Sequence, residues 1–475
     1  MVDQGSAPLS SRHRLSLVIF AVAIVAFGCI TELRGAFQHT RKTDAGVYFR
    51  AAWAVRAGVD LYRVQDDNGW HYHYPPLFAI VMTPFADPPA GTDRSGMLPY
   101  GVALGIWYCT GWLCLFGAVH LLARALEETS SDPRVRSQPR YCERWWALRM
   151  FPIIICLLAI GRDLARGQVS MLLLLLICAM AASMLRGQRF RAGLWLAGAI
   201  CLKIIPVLLL LVPWQRRDGR MIGGCALGLA IGLILIPAAV LGPRSTLDAY
   251  RNVLNEVLLP GINADVGGSR GQELTGVAVN SSNSPRVVVH NILNPNRETR
   301  PKEASRAARM AHWSCAALLI GLSWIAASSK RDHGKLNSSD PTLQAVGFAS
   351  QRSEIKQGAN SEYRSQSASN RQGILSLASL ALVMLMVSPV YYPHYFSVAV
   401  FPVMLLLAFD WDEQGYPWRR FSYRWLFAGI VLTHLLTVLP GMWPLRDFGL
   451  VLFTTLWLWW ACINELLRRR PAGLS

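Results

Sequence analysis

Residues 44–52 read D-A-G-V-Y-F-R-A-A, residues 58–63 read G-V-D-L-Y-R, and residues 70–77 read W-H-Y-H-Y-P-P-L. This stretch follows the first apolar segment directly. It is too polar to lie in lipid, where each unpaired polar group is costly, and too aromatic for a plain loop. Val47, Tyr48, Ala51, Ala52 and Val55 recur at helical spacing between Asp44 and Ala57, which predicts an amphipathic helix lying along a membrane interface. Gly58 ends it. Asp44 stands at its start and is the candidate general base, although an aspartate there can also simply cap the helix. The apolar run Leu77–Phe85, bounded by prolines 75, 76 and 84, is too short to cross a bilayer and suits a re-entrant or interfacial segment.

The rest of the chain supplies the membrane. Of its 475 residues 52% are hydrophobic, and several apolar runs approach or exceed the roughly 20 residues that span a bilayer. The fold class is an all-α polytopic integral membrane protein. The net charge of +18 sits in loops between apolar runs, so the positive-inside rule accounts for much of it and no nucleic-acid partner is expected. The 10 cysteines lie nearly all within apolar runs and form no C-x-x-C pair, so neither disulfides nor a metal or haem site is expected. Arg12 and Arg14 precede the run Leu15–Ile30, read as an uncleaved first span rather than a signal peptide.

Further spans are read at Tyr100–Ala123, Ala147–Ile160, Val169–Leu185, Met221–Leu241, Ala307–Ala327, Gly373–Val387, a segment ending at Phe409, a segment ending near Leu439, and Phe448–Leu467, with G-R-D-L-A-R-G-Q a short loop between Ala147–Ile160 and Val169–Leu185. Ala192–Pro213 carries Lys203 and Pro206 at its middle, and a central lysine costs about 2.5–3.5 kcal/mol in a spanning helix. Both flanks, R-G-Q-R-F-R and W-Q-R-R-D-G-R, are basic. The segment therefore reads as two half-helices that enter and return, with Lys203 at the tip. About 12 transmembrane segments result, with both termini cytoplasmic. The chain is read as one membrane domain over 1–475. It has an extracytoplasmic loop at 31–97 that carries Asp44, a large extracytoplasmic loop at 242–306, and a polar cytoplasmic loop at 330–371 read as disordered.

This topology collects polar residues on one side. They are Asp44, Tyr74, Pro75 and Pro76; Gly167 and Gln168; Lys203; Asn280, Ser281 and Ser282; and Ser388, Pro389 and His394. Ionisable groups at membrane depth mark functional sites by default. Each has a bland alternative: Lys203 can snorkel, His394 can sit at the interface, Asn280-Ser281-Ser282 can be a turn, and Gly167-Gln168 can pack a loop. The outer loops are also rich in arginine, which either an anionic ligand or lipid headgroups would explain. Trp70 and Tyr72 could stack on a ligand or belong to an aromatic belt. His71 and His73 are spaced like a ligand pair but lack a third ligand. Asp410-Trp411-Asp412 is a D-x-D on the cytoplasmic side, read as a solvated loop.

Six pieces resemble glycosyltransferase family 87, the polyprenyl-phosphate-mannose-dependent mannosyltransferases of the GT-C fold. They are D-A-G-V-Y-F with G-V-D-L-Y, Y-H-Y-P-P-L, R-G-Q-V-S-M-L-L-L-L-L, A-I-C-L-K-I-I-P-V-L-L-L-L, T-G-V-A-V-N-S-S and S-P-V-Y-Y-P-H-Y. Each is short, but they occur in the family's order across most of the chain. The resemblance implies eleven to thirteen helices and inverting transfer of a sugar, mannose, from a polyprenyl-phosphate donor at the extracytoplasmic face. It matches Asp44 to the family's catalytic aspartate and His394 to a histidine near the donor phosphate. The chain departs from the family at Tyr391-Tyr392-Pro393, where a tryptophan-containing run is common, and at Tyr395, where a second histidine is common.

The residues suit that chemistry. An inverting transfer from a sugar phosphate needs one base for the acceptor hydroxyl and no acid, since the phosphate leaves as a stable anion; glycosidases use two carboxylates. Asp44 would be the base. Lys203 and His394 would stabilise charge on the phosphate, with Asn280, Ser282, Gln168 and Tyr74 lining the substrate site, and no metal or cofactor. The expected partners are the lipid-linked donor, a lipid or glycan acceptor, and membrane lipids, in a bacterial plasma (inner) membrane. The alternatives are a transferase for another lipid-linked sugar, or a lipid or glycan transporter (flippase). A transporter would be favoured by internal repeats, and none is evident.

Overall fold

The computed structural model describes residues 10–37, 44–130, 133–138, 140–263, 270, 273–274, 277, 282–328, 369–414, 421–439 and 441–468. Among these, helix is the dominant element and the one β-type pairing is an isolated bridge between Gln65 and His71. Six helices have the length and composition to cross a membrane: Tyr100–Glu128, Gly219–Leu241, Arg306–Ser328, Ser369–Val387, Pro393–Glu413 and Leu450–Arg468. Shorter apolar helices occupy Arg14–Ile30, Ser170–Leu185, Ile205–Gln215 and Tyr423–Leu436. Ser369–Val387 and Pro393–Glu413 are almost wholly enclosed by protein, whereas most of Gly219–Leu241 and Arg306–Ser328 is not buried. An apolar helix left uncovered is the form that faces lipid.

The expected third span is two helices, Glu143–Ile155 and Leu157–Arg166, broken at Cys156 four residues past Pro152. The second of them carries helix through to Arg166, where the sequence reading had a loop.

The chain does break at Lys203. The helix Arg189–Leu202 ends there in extended backbone (φ −149°, ψ 133°), and a tight 3-10 turn over Ile205–Leu210 leads into Leu211–Gln215. Arg189 Nε lies 3.6 Å from Asp218 Oδ2, so the segment returns to the end it started from. The next helix then runs beside and parallel to Arg189–Leu202 along a glycine seam. A Cβ on Gly193 would come 2.1 Å from Met221 O, one on Gly224 2.2 Å from Phe190 O, one on Gly228 2.5 Å from Ala197 Cβ, and one on Gly232 2.6 Å from Cys201 Sγ. Small residues every fourth position let membrane helices touch backbone to backbone. Farther along, Pro237 has no N–H for Leu233 O, and the Tyr250 hydroxyl donates to that carbonyl instead.

Several sequence expectations change. The helix Ala45–Ala57 is covered by protein rather than presenting an apolar face to lipid: Ala45 to Ala52 and Ala54 are buried. The loop after it folds over it, with Leu61, Tyr62, Tyr72 and Phe78 in the core. Arg50 is enclosed, donating to Asp87 O (3.0 Å), Gln65 O (2.9 Å) and Asp67 Oδ1 (2.6 Å). The D-x-D is no solvated loop. It lies in the helix Val400–Gln414, where Asp412 accepts from Arg144 (2.7 Å) and Arg371 (2.8 Å). The large loop 242–306 contains helices at Pro243–Asn252 and Pro285–Leu293, the latter capped by Ser284 Oγ. Of the expected disordered loop, residues 330–368 lie outside the described residues, and 369–371 already open the helix Ser369–Val387. Many arginines of the presumed outer loops need neither ligand nor headgroup: Arg297 and Arg300 pair with Asp447, and Arg270 with Glu256.

Asp412 holds two nearly buried arginines, and losing one partner of a buried ion pair costs about 3–5 kcal/mol. Asp412→Asn should therefore lower the thermal unfolding midpoint of the detergent-solubilised protein markedly; an unchanged midpoint would show that the cluster is not structural.

Candidate functional site

The site is built where the Asp44 helix docks on the turn after Leu157–Arg166. Asp44 N donates to Arg166 O at 2.6 Å. The turn needs Gly167 twice over: its φ is +66°, and a Cβ there would come 2.7 Å from Ala45 Cβ. Trp107 Nε1 donates to Gly167 O at 2.8 Å and pins the turn. The buried Gln168 is then aimed back at the helix start. Its amide nitrogen donates to Asp44 Oδ2, and its Oε1 accepts from Tyr48 Oη at 3.1 Å. Tyr48 Oη is also 3.0 Å from Tyr74 Oη. Since the Tyr48 proton goes to Gln168, Tyr74 donates to Tyr48, giving a relay from Tyr74 to the Asp44 carboxylate.

Asp44 occupies the cap position, but its side chain makes no capping hydrogen bond. The carboxylate sits low in a crevice, enclosed by protein yet with 34% of its side chain open, and 3.8 Å from Arg166 Nη1. Burial raises its pKa above the usual aspartate value; Arg166 and the Gln168 amide pull it back.

Lys203, at the tip of the broken hairpin, places its ammonium 4.0 Å from the centroid of the Tyr395 ring and 5.7 Å from that of Tyr74. Among the described residues no carboxylate pairs with it. His394 is buried in the tight turn Pro393–Ala399 and its Nε2 has no hydrogen-bond partner. Its ring stacks on Tyr392 (5.4 Å, 13°) and meets Tyr395 edge-on at 4.6 Å. Arg166 lies over Tyr392 at 5.8 Å. Ser282 is buried, and its Oγ accepts from Tyr391 N at 3.1 Å, while Asn283 N donates to Tyr391 O. Ser282 thus straps the large loop to the His394 segment. Asn280 lies outside the described residues.

Other candidates are elsewhere. Tyr72 is in the core with its hydroxyl on Pro75 O (2.8 Å), so its ring face is not available for stacking. His71 and His73 lie 2.8 and 3.1 Å from the two oxygens of Glu273, fastening the large loop to the first. Among the described residues no group of side chains is arranged to hold a metal.

The sequence reading missed Tyr48, Arg162, Asp163 and Arg166. Arg162 and Arg166 lie four apart on one helix face, a signal hidden by taking G-R-D-L-A-R-G-Q for a loop. Asp163, on the same helix, is fully buried with neither carboxylate oxygen in hydrogen-bonding geometry. Arg446 joins from the short helix Trp443–Asp447, for which the sequence held no signal.

Comparison with known proteins identifies the family. The family model of glycosyltransferase family 87 matches residues 72–339, more than half of the chain. The match includes Tyr74, Gln168, Lys203 and Ser282 and stops short of Asp44 and His394. Among solved structures, ArnT from Cupriavidus metallidurans, crystallised bound to undecaprenyl phosphate, is similar over 96% of this chain and 79% of its own, at 13% identity and a TM-score of 0.33. No curated protein matches the chain in sequence.

Gly58 and Gly167 both have φ near +67°, but only Gly167 has a neighbour where a Cβ would go. Gly58→Ala should cost only the left-handed backbone penalty, about 1 kcal/mol. Gly167→Ala should lower the unfolding midpoint considerably more, because Ala45 must also move. Equal losses in the two variants would mean that the docking is not tight.

Proposed function

The chain belongs to glycosyltransferase family 87, and on that premise we propose that it moves a hexose, mannose in the favoured reading, from a polyprenyl-phosphate donor to a lipid or glycan acceptor. The transfer takes place at the extracytoplasmic face of a bacterial plasma membrane, on a GT-C-type fold, with inversion. Asp44 is the general base. The observation that carries this reading is the Asp44 carboxylate, held on one oxygen by Gln168 and linked through Tyr48 to Tyr74, whose ring lies 5.7 Å from a lysine with no carboxylate partner among the described residues.

The geometry suits a single displacement. The acceptor hydroxyl gives its proton to Asp44 while its oxygen bonds to the sugar's anomeric carbon. The bond from that carbon to the phosphate oxygen breaks on the opposite face, and the polyprenyl phosphate leaves as an anion. Lys203 takes up the charge growing on that phosphate, with His394 beside it; preorganised charge is where such sites gain most. Gln168 donates to Oδ2 and leaves Oδ1 for the proton. Tyr48 and Tyr74 fix the Gln168 amide so that its nitrogen, not its oxygen, faces the carboxylate. A raised pKa makes Asp44 a better base, while Arg166 and Gln168 pull that pKa back down.

The test is sugar transfer by purified protein in nanodiscs, given radiolabelled polyprenyl-phosphate-mannose and a membrane lipid extract. Wild type should transfer label, and Asp44→Asn, still folded, should lose about 10²–10⁴-fold in rate. Equal transfer by both would remove Asp44 from the mechanism, and transfer from another lipid-linked sugar alone would replace mannose.

The pH profile gives a separate check. The rate should fall as pH drops through the Asp44 pKa, which lies above that of an ordinary aspartate. Gln168→Ala removes a hydrogen bond that lowers that pKa, so the acid limb should move to higher pH. A limb that stays, or moves to lower pH, would contradict the assignment.

A further inference from the structure

A second cationic site lies beside the first. Arg162, Arg166 and Arg446, with His394, Tyr392 and Asn283, line a cavity of about 300 Å³. Lys203, Tyr74 and Tyr395 are not in its wall. Tyr395 stands between the two sites, with Lys203 over its ring at 4.0 Å and His394 against it at 4.6 Å.

Several arginines elsewhere in the protein are matched by carboxylates. Arg50, Arg270, Arg297 and Arg300 each have a carboxylate within 3.2 Å. In the cavity wall, among the described residues, only Arg166 has one within 4 Å, and that is Asp44 itself at 3.8 Å. Arg162 donates to Thr437 Oγ1 (3.2 Å) and Thr437 O (3.0 Å), both neutral. Among the described residues Arg446 reaches only Leu439 O, at 3.5 Å, and its buried Nε has no hydrogen-bond partner. Asp447 is the next residue, yet it pairs with Arg297 and Arg300 instead. Three like charges gathered in so small a space repel one another, and an anion in the cavity would relieve that. Guanidinium forks are the groups best shaped to hold a phosphate or carboxylate.

One transfer brings one donor phosphate, and Lys203 already offers it a site. We infer that the arginine cavity binds an anionic group of the acceptor, a phosphate or carboxylate carried on the lipid or glycan that receives the sugar. The inference rests on the transferase reading above. It gives Arg166 a place at the junction: an acceptor anchored in the cavity lies alongside Asp44 and can present its hydroxyl to the base. Arg162 and Arg446 are then residues that select the acceptor.

Binding and transfer separate this inference from the reading it rests on. The binding arm uses native mass spectrometry of the full chain with three probes: dioleoyl phosphatidic acid, dioleoylglycerol and undecaprenyl phosphate. Wild type should prefer phosphatidic acid to dioleoylglycerol. The double variant Arg162→Gln/Arg446→Gln should weaken phosphatidic acid binding by about tenfold or more, the size of a lost charge-assisted contact, and leave undecaprenyl phosphate unchanged. Lys203→Gln should do the reverse. Should the double variant fold poorly, Arg446→Gln alone, which gives up only the Leu439 carbonyl contact, should show the same selectivity to a smaller degree. Loss of undecaprenyl phosphate rather than phosphatidic acid in the arginine variants would assign the cavity to the donor and overturn the inference, as would equal binding of phosphatidic acid and dioleoylglycerol by wild type. The transfer arm splits the lipid extract into anionic and neutral fractions. Label entering only the neutral fraction sinks the inference and leaves the transferase reading standing. The expected binding pattern with no transfer from any donor does the opposite.

Discussion

The hydrogen bond from Asp44 N to Arg166 O, 2.6 Å long, is the contact on which the site depends. It joins the start of the first-loop helix to the turn between two apolar helices, segments more than a hundred residues apart. The turn can come this close only because residue 167 has no Cβ to strike Ala45 and can take a positive φ. From that closure the rest follows. Gln168 is delivered to the Asp44 carboxylate, Tyr48 and Tyr74 are delivered to Gln168, and Arg166 is left over Tyr392 beside the buried His394.

Away from this closure ion pairs hold the structure together, while several cations of the site are left unmatched. Arginines in the loops are matched with Asp67, Glu256 and Asp447, and at the far end Asp412 gathers Arg144 and Arg371. Lys203, Arg162 and Arg446 have no such match among the described residues. Lys203 reaches the site because its helix stops at Leu202. Extended backbone at 203 and proline at 206 turn the chain back, and the glycine seam of the following helix holds the hairpin in place. A lysine that is costly inside a spanning helix becomes tolerable at a tip that opens on a polar crevice.

The membrane helices were legible because hydropathy is strong over twenty residues, and the broken hairpin because Lys203 and Pro206 interrupt such a run. Burial was not legible at Ala45–Ala57. An apolar face with Arg50 and Arg56 on the other side reads as interfacial whether lipid or protein covers it, and the pattern gives no hint that residues 58–97 fold over it. The D-x-D misled for a related reason: a charged pair at the end of an apolar helix looks solvated until Arg144 and Arg371 arrive from distant segments. Of the site, Asp44, Gln168, Lys203 and Tyr74 could be named from sequence and the structure brings them together. Ser282 straps the large loop to the backbone of Tyr391, and Asn280 lies outside the described residues. Tyr48 and Arg166 were hidden, one as a core aromatic and the other in a helix mistaken for a loop.

The most direct test of the account is an experimental structure of the protein with a polyprenyl-phosphate ligand bound. The account predicts the phosphate against Lys203, with oxygens within about 4 Å of Nζ, and Asp44 facing the open side where an acceptor would approach. A phosphate held by Arg162 and Arg446, with Lys203 turned away, would contradict the division of the site into donor and acceptor sides.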